Sequence, residues 1–246
     1  MFNLDKYKSK TAVITDRNES LSYGQVAEEV ENFTVHYKGG FVFTLCENLL
    51  GAFIGYVACI NKHIPQVLLD GSKNLELVQR LIGIYQPEYI WMPTVRVNEI
   101  GGKSIYTYQE YSLQLMAYDE PLIDRTINSE LLLCLTTSGS TGSPKLVRLS
   151  EQNLKSNAES IADYLKITSN ERPVTSLPMY YSYGMSVINS HLIKGATILL
   201  TDKAVMQREF WTFIKEQKAT SIAGVPYTYE MLKRLRFFHM ELPELK

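Results

Sequence analysis

Short runs of β-branched and aromatic residues alternate along the chain with stretches whose apolar positions recur at helical spacing. Residues 11–15 read as a strand and residues 16–20 as a turn. Ser22-Tyr23-Gly24-Gln25 then fits a capping box, and Val26, Val30 and Phe33 follow at helical intervals. Further strands are predicted at 40–45, 64–69 and 89–92, the last stopped by Pro93. Helices are predicted at 48–59 and 75–85, where Leu77, Val78, Leu81 and Ile82 share one face. The pattern weakens over 94–128, where a short strand at 104–107 and a helix at 109–116 are the best fits. Residues 131–136 form a nearly continuous apolar run, as a buried strand should. A strand at 146–150 follows, then a helix capped by Ser150 and running to about residue 165. Strands at 174–177, 196–201 and 220–224 alternate with helices at 184–193, 205–218 and 227–237. Such alternation predicts an α/β fold: layered, parallel-rich sheets flanked by helices.

The longest apolar run, residues 49–60, is too short to span a bilayer, which takes about 20 residues. Gly51 and Gly55 within it form a small-xxx-small pattern that lets a helix lie close against a sheet. The N-terminal residues have no secretory hydrophobic region, so a cytoplasmic protein is expected. Across 246 residues the hydrophobic fraction is 45% and the charged fraction 21%, enough apolar material for a real core. The net charge of −1 argues against a dedicated nucleic-acid binder. Cys46, Cys59 and Cys134 form no CxxC pair and sit among apolar neighbours, which reads as buried free thiols. His36, His63, His191 and His239 lack metal-ligand spacing and read as structural. The basic cluster at Lys233, Arg234 and Arg236 suits the C-terminal end of the last helix.

The chemistry is concentrated in Thr136-Thr137-Ser138-Gly139-Ser140-Thr141-Gly142-Ser143-Pro144-Lys145, between two predicted strands. Glycines let backbone N–H groups approach an anion, hydroxyls add donors, and Lys145 adds a point charge. These are the parts of a phosphate cradle. A Walker loop would need Gly-Lys-Ser/Thr followed by a helix, but here the Lys follows Pro144 and a strand follows the Lys. A nucleophile elbow would need Gly-x-Ser-x-Gly, and the first Gly is missing around Ser140. A plain Ser/Gly hairpin connection is the competing reading.

The segment from Thr137 to Lys145, followed by Leu-Val-Arg-Leu-Ser150 and Asn153, resembles the phosphate loop of the adenylate-forming (AMP-binding) superfamily. That family includes acyl-CoA synthetases, nonribosomal peptide synthetase adenylation domains and luciferases. Other segments match in order: Leu21 to Val26, Ala58 to Asp70, Leu177-Pro178-Met179-Tyr180-Tyr181-Ser182-Tyr183-Gly184, Gly195-Ala196-Thr197 and Gly224-Val225-Pro226. The resemblance covers essentially the whole chain.

The resemblance implies ATP-dependent activation of a carboxylic acid as an acyl-adenylate with release of pyrophosphate. Transfer to the thiol of CoA or of a carrier-bound phosphopantetheine follows. It implies that Thr137, Ser138, Gly139, Ser140, Thr141, Gly142 and Lys145 bind the triphosphate of ATP, with Mg²⁺ in the complete enzyme. Tyr181, Ser182 and Gly184 would lie at the acid. Tyr181 stands where many relatives have His, and Ser182 where the amino-acid-activating branch carries Asp, which argues against an α-amino acid. The partners implied are a small carboxylic acid and an acyl carrier protein, with no nucleic acid.

The family's adenine segment, its Tyr-Gly-x-Thr-Glu, its ribose-binding Asp and its late catalytic Lys have no counterpart before Lys246. The chain is therefore expected to be an incomplete N-terminal domain, with subdomains at 1–128 and 129–246 and no C-terminal small domain. No catalytic residue is assigned within it, and alone it should be inactive. Exposed apolar surface and oligomerisation are expected around residues 220–246. A nucleotide-responsive binding module that keeps only the phosphate loop is the alternative.

Overall fold

The predicted alternation is realised as two sheets. The computed structural model describes residues 1–72, 75–119, 126–137 and 145–246. In chain order the strands are β1 Thr11–Thr15, β2 Ser20–Ser22, β3 Val42–Cys46, β4 Gln66–Asp70, β5 Tyr89–Pro93, β6 Lys103–Tyr108 and β7 Tyr111–Leu115. They continue with β8 Leu133–Thr137, β9 Lys145–Leu149, β10 Pro173–Val174, β11 Ile198–Leu200 and β12 Ser221–Ile222. The helices are α1 Tyr23–Val35, α2 Leu50–Asn61, α3 Leu75–Tyr85, a single turn α4 Val97–Ile100, α5 Glu151–Tyr164, α6 Ser182–Leu192, α7 Arg208–Glu216 and α8 Pro226–Arg234.

The chain forms two compact units: residues 1–2 with 28–154, and residues 3–27 with 155–246. The sequence placed a boundary at 128/129 instead. The difference comes from strand pairing. β8 lies parallel to β4 and carries β9 with it, so this hairpin completes the first sheet. β1 pairs with β11, far away in sequence, and draws the N-terminal segment into the second.

The first unit holds the sheet β6-β7-β5-β3-β4-β8-β9. Its centre, β5-β3-β4-β8, is parallel, as the near-continuous apolar strands require. Phe43, Leu45, Val67, Leu69, Ile90 and Met92 form a core with Val78, Leu81 and Ile82 of α3. In α2, every residue from Leu50 to Ile60 is buried. A Cβ on Gly51 would stand 2.6 Å from the Tyr111 ring, and one on Gly55 2.3 Å from Trp91 Nε1. The Trp91 indole N–H donates to Gly51 O at 2.9 Å. The glycine stripe thus serves the helix-on-sheet approach read from the sequence.

Residues 109–116 correct the sequence reading. They form a hairpin turn at Gln109, with φ of +50°, and then β7, antiparallel to both β5 and β6. Tyr111-Ser112-Leu113-Gln114 alternates apolar and polar residues with period two, a strand signal. Both faces are covered, so Ser112 and Gln114 are buried and bond to each other at 2.7 Å.

The second unit holds β12-β10-β11-β1-β2, parallel except for β2. Val174, Leu199, Phe210, Phe213 and Ile214 build its core. The capping box at α1 is present: Ser22 N–H donates to Gln25 Oε1 at 2.8 Å, and Gln25 N–H to Ser22 Oγ at 3.1 Å. No described helix is long and apolar enough to cross a membrane.

Candidate functional site

Ser138, Gly139, Ser140, Thr141 and Gly142 lie outside the described residues. Their two flanks are described. Thr137 ends β8 and Lys145 opens β9, and the two are register partners across the hairpin. Because β8 runs parallel to β4 and β3, both flanks stand at the carboxyl ends of the parallel strands. In open α/β sheets this is the end where ligands bind.

That end is tightly braced. Gly71 N–H donates to Cys46 O at 2.8 Å, tying the exits of β3 and β4. The buried Arg96 guanidinium, just after β5, donates to Gly71 O at 2.7 Å and pairs with Glu99 at 3.0 Å. Asp70 accepts from the amide and hydroxyl of Ser72 at 3.0 and 2.7 Å. Tyr111 Oη donates to Leu45 O and accepts from Glu47 N–H at 2.8 and 3.0 Å. Burial pushes the Cys46 thiol well above its ordinary range, and the neighbouring Asp70 charge adds to this. Lys145 itself is exposed. The sequence reading gave Arg96 no role; a lone arginine following a buried strand and Pro93 was the available signal.

The strand leaving Lys145 leads into α5, whose start is capped by its own residues. Ser150 N–H donates to Asn153 Oδ1 at 3.0 Å, and Asn153 N–H to Ser150 Oγ at 3.2 Å. A cavity of about 500 Å³ opens beside this cap, lined in part by His63, Glu130, Leu132, Ser150 and Glu151. It sits at the Leu133/Leu149 end of the hairpin, away from Thr137 and Lys145. His63 Nε2 meets Glu151 there at 2.6 Å, and that hydrogen bond lowers the Glu151 carboxyl.

Tyr181, Ser182 and Gly184 belong to the second unit and come together at the start of α6. Tyr181 is the extended N-cap residue, and no side chain caps the helix. Gly184 is buried, and a Cβ there would stand 2.2 Å from Pro178 O. The Leu177-Pro178 backbone therefore crosses the first turn so closely that only glycine fits. Ser186 Oγ lies 2.7 Å from Ser182 O and 3.1 Å from Asn157 Oδ1, linking α6 to α5. Tyr181 is 51% exposed and Tyr183 42%, so neither is a core residue. Uncapped amides at a helix N-terminus favour an anion, and a half-exposed phenol stands beside them.

His191 and the three cysteines have structural surroundings. His191 Nδ1 lies 2.8 Å from Val187 O, and burial lowers its pKa. All three cysteines are free and buried. Among the described residues no three His, Cys, Asp or Glu side chains cluster as metal ligands.

Two parallel-centred sheets flanked by helices define an α/β fold. The AMP-binding enzyme family model matches residues 3–246, and the chain belongs to that family. An oxalate–CoA ligase of Arabidopsis thaliana is 30% identical over 118 residues, 46% of this chain and 23% of the ligase. A D-alanine–D-alanyl carrier protein ligase of Staphylococcus aureus is 20% identical over 202 residues, 81% of this chain and 41% of the ligase. ATP-bound MatB from Rhodopseudomonas palustris superposes with a TM-score of 0.73 at 23% identity, over 93% of this chain and 48% of MatB. The chain thus spans less than half the length of each.

Proposed function

We propose that the chain takes part in ATP-dependent activation of a carboxylic acid as an acyl-adenylate, followed by transfer to a thiol. The observation that carries the reading is the β8–β9 hairpin. Its strand ends, Thr137 and Lys145, are register partners at the carboxyl edge of the parallel sheet. The sequence between them is a phosphate-loop motif in a chain of the AMP-binding family. The names of the matched ligases support both thiol acceptors, CoA and a carrier protein.

In the first step a carboxylate oxygen forms a bond to the α-phosphorus of ATP. The bond to the bridging oxygen breaks and pyrophosphate leaves. In the second step a thiolate attacks the acyl carbon, the carbon–oxygen bond to AMP breaks, and a thioester forms. The barrier in the first step is the approach of two anions. One pair of unit charges 4 Å apart costs about 4 kcal/mol at an effective dielectric near 20. In this reading the exposed ammonium of Lys145 and the loop donors offset that repulsion on the triphosphate. The uncapped amides at the start of α6, with Tyr181, suit the acid. Mg²⁺ would supply further charge neutralisation, and the described side chains offer no cluster assigned to hold it.

The test is pyrophosphate release by the full-length protein, including any residues encoded beyond Lys246, against a panel of carboxylic acids. Lys145→Ala should lower the rate by about 10²–10³-fold, as loss of a transition-state charge partner does. The 246-residue chain alone should give no ATP–pyrophosphate exchange. An unchanged rate in Lys145→Ala refutes the assignment of Lys145. Nucleotide binding by the full-length protein with no pyrophosphate release against any acid replaces the enzyme with a binding module.

A further inference from the structure

A second cavity, of about 210 Å³, lies in the first unit with no connection to the activation reading. Phe41, Tyr85, Ile127 and Leu131 give it apolar walls, and Arg148 is the one charged side chain among its lining residues. Phe41, Tyr85, Ile127 and Leu131 also contact the core that α3 forms with the sheet. Arg148 stands opposite Cys134 in the β8–β9 register. Among the described residues no carboxylate pairs with it. Arg148 is three residues along β9 from Lys145, about 10 Å at the strand rise, toward the amino end of the parallel strands where Phe41 sits. The site is therefore separate from the phosphate-loop flanks.

We propose that this cavity binds a small monocarboxylic acid with a compact apolar body, of the size of benzoate. The volume suffices: a benzene ring occupies an enclosed apolar cavity of about 150 Å³, and this half-open pocket of about 210 Å³ has space for a ring with a carboxylate at its polar mouth beside Thr126, Asn128 and Arg148. The charge fits: a planar guanidinium with no acidic partner among the described residues can receive a carboxylate through two parallel N–H donors. The same charge is felt at the buried Cys134 thiol, which burial pushes up to about 11 and Arg148 pulls back. A ligand of this size binds in the millimolar range.

The experiment is an NMR titration of the 246-residue chain with benzoate, and with benzamide as the uncharged isostere. Benzoate should shift the amides of residues 126–131 and 146–149. Benzamide should bind about two- to fivefold more weakly, and so should benzoate to Arg148→Ala, the loss expected for one solvent-exposed ion pair. Arg148 is exposed, so the variant should keep the parent far-ultraviolet dichroism, and Arg148→Lys should recover part of the affinity. Equal affinity for benzamide, undiminished binding by Arg148→Ala, or no shift at millimolar ligand overturns the proposal. So does a benzoate response confined to the residues around Tyr181 and abolished by Tyr181→Ala. That outcome would place the acid at α6 and leave the activation reading standing, whereas failure of pyrophosphate release leaves this cavity untouched.

Discussion

Replacing Gly55 with alanine tests how closely α2 rests on the sheet. The added methyl carbon would stand 2.3 Å from Trp91 Nε1, against 3.4 Å for ordinary contact, a shortfall of 3.4 − 2.3 = 1.1 Å. Either the helix lifts or the indole turns, and turning breaks the buried bond from Trp91 to Gly51 O. Overpacking costs about 1–3 kcal/mol. Leaving the indole N–H unpaired costs about 1–3 kcal/mol more. Alanine returns about 1 kcal/mol of helix propensity. The expected net loss is about 1–5 kcal/mol. Gly83→Ala is the control in the same unit. Gly83 is exposed on α3 with nothing near its missing Cβ, so the change should stabilise by about 0.5–1 kcal/mol. The assay is urea unfolding followed by Trp91 fluorescence in a Trp211→Phe background, since the chain has 2 tryptophans. A Gly55→Ala midpoint at or above the parent's would refute the close seating of α2 on Trp91.

Gly184→Ala should destabilise the second unit by about 1–3 kcal/mol, because the methyl meets the Pro178 backbone at 2.2 Å; a parent-like thermal midpoint contradicts this. His191 carries a pH dependence whose sign is fixed by burial, which lowers its pKa against the opposing pull of Val187 O and Glu171. The unfolded chain then takes up the proton more readily, so stability is full above about pH 6.5 and is lost as pH falls below it. His191→Gln should flatten that slope between pH 7.5 and 5.5, and equal slopes in urea titrations would remove His191 as the cause. Burial also raises the thiols of Cys46, Cys59 and Cys134, so an aromatic disulfide reagent should label none of them in the folded chain and all 3 in denaturant. Rapid labelling of the native protein would mean that one of these sites opens.

Much of the local structure was legible because its causes are local. The capping box at Ser22 and Gln25 and the cap at Ser150 are short-range hydrogen bonds between residues three apart. The continuous apolar runs at β3, β4, β5 and β8 announced strands covered on both faces. Residues 109–116 were misread because the apolar/polar alternation of Tyr111-Ser112-Leu113-Gln114 competes with a loose helical spacing. What decides between them is the pairing of β7 with β5 and β6. Arg96 escaped notice because its role is to hold a carbonyl, Gly71 O, on a different strand exit.

By itself, then, the sequence determined the alternation of elements, the caps, the close-approach glycines and the residue types of the phosphate loop. Each follows from the stereochemistry of neighbouring residues. The tertiary structure decided how the strands are distributed between the two sheets. β1 joins β11 rather than β3, and the β8–β9 hairpin joins the first sheet, which sets Thr137 and Lys145 at its carboxyl edge. The cavity at Arg148 was likewise invisible in the sequence, since its walls come from the residue before β3, the end of α3, β9 and the segment before β8. Pairing partners are chosen by which faces can be buried together, and a one-dimensional pattern leaves that open until the whole sheet is assembled.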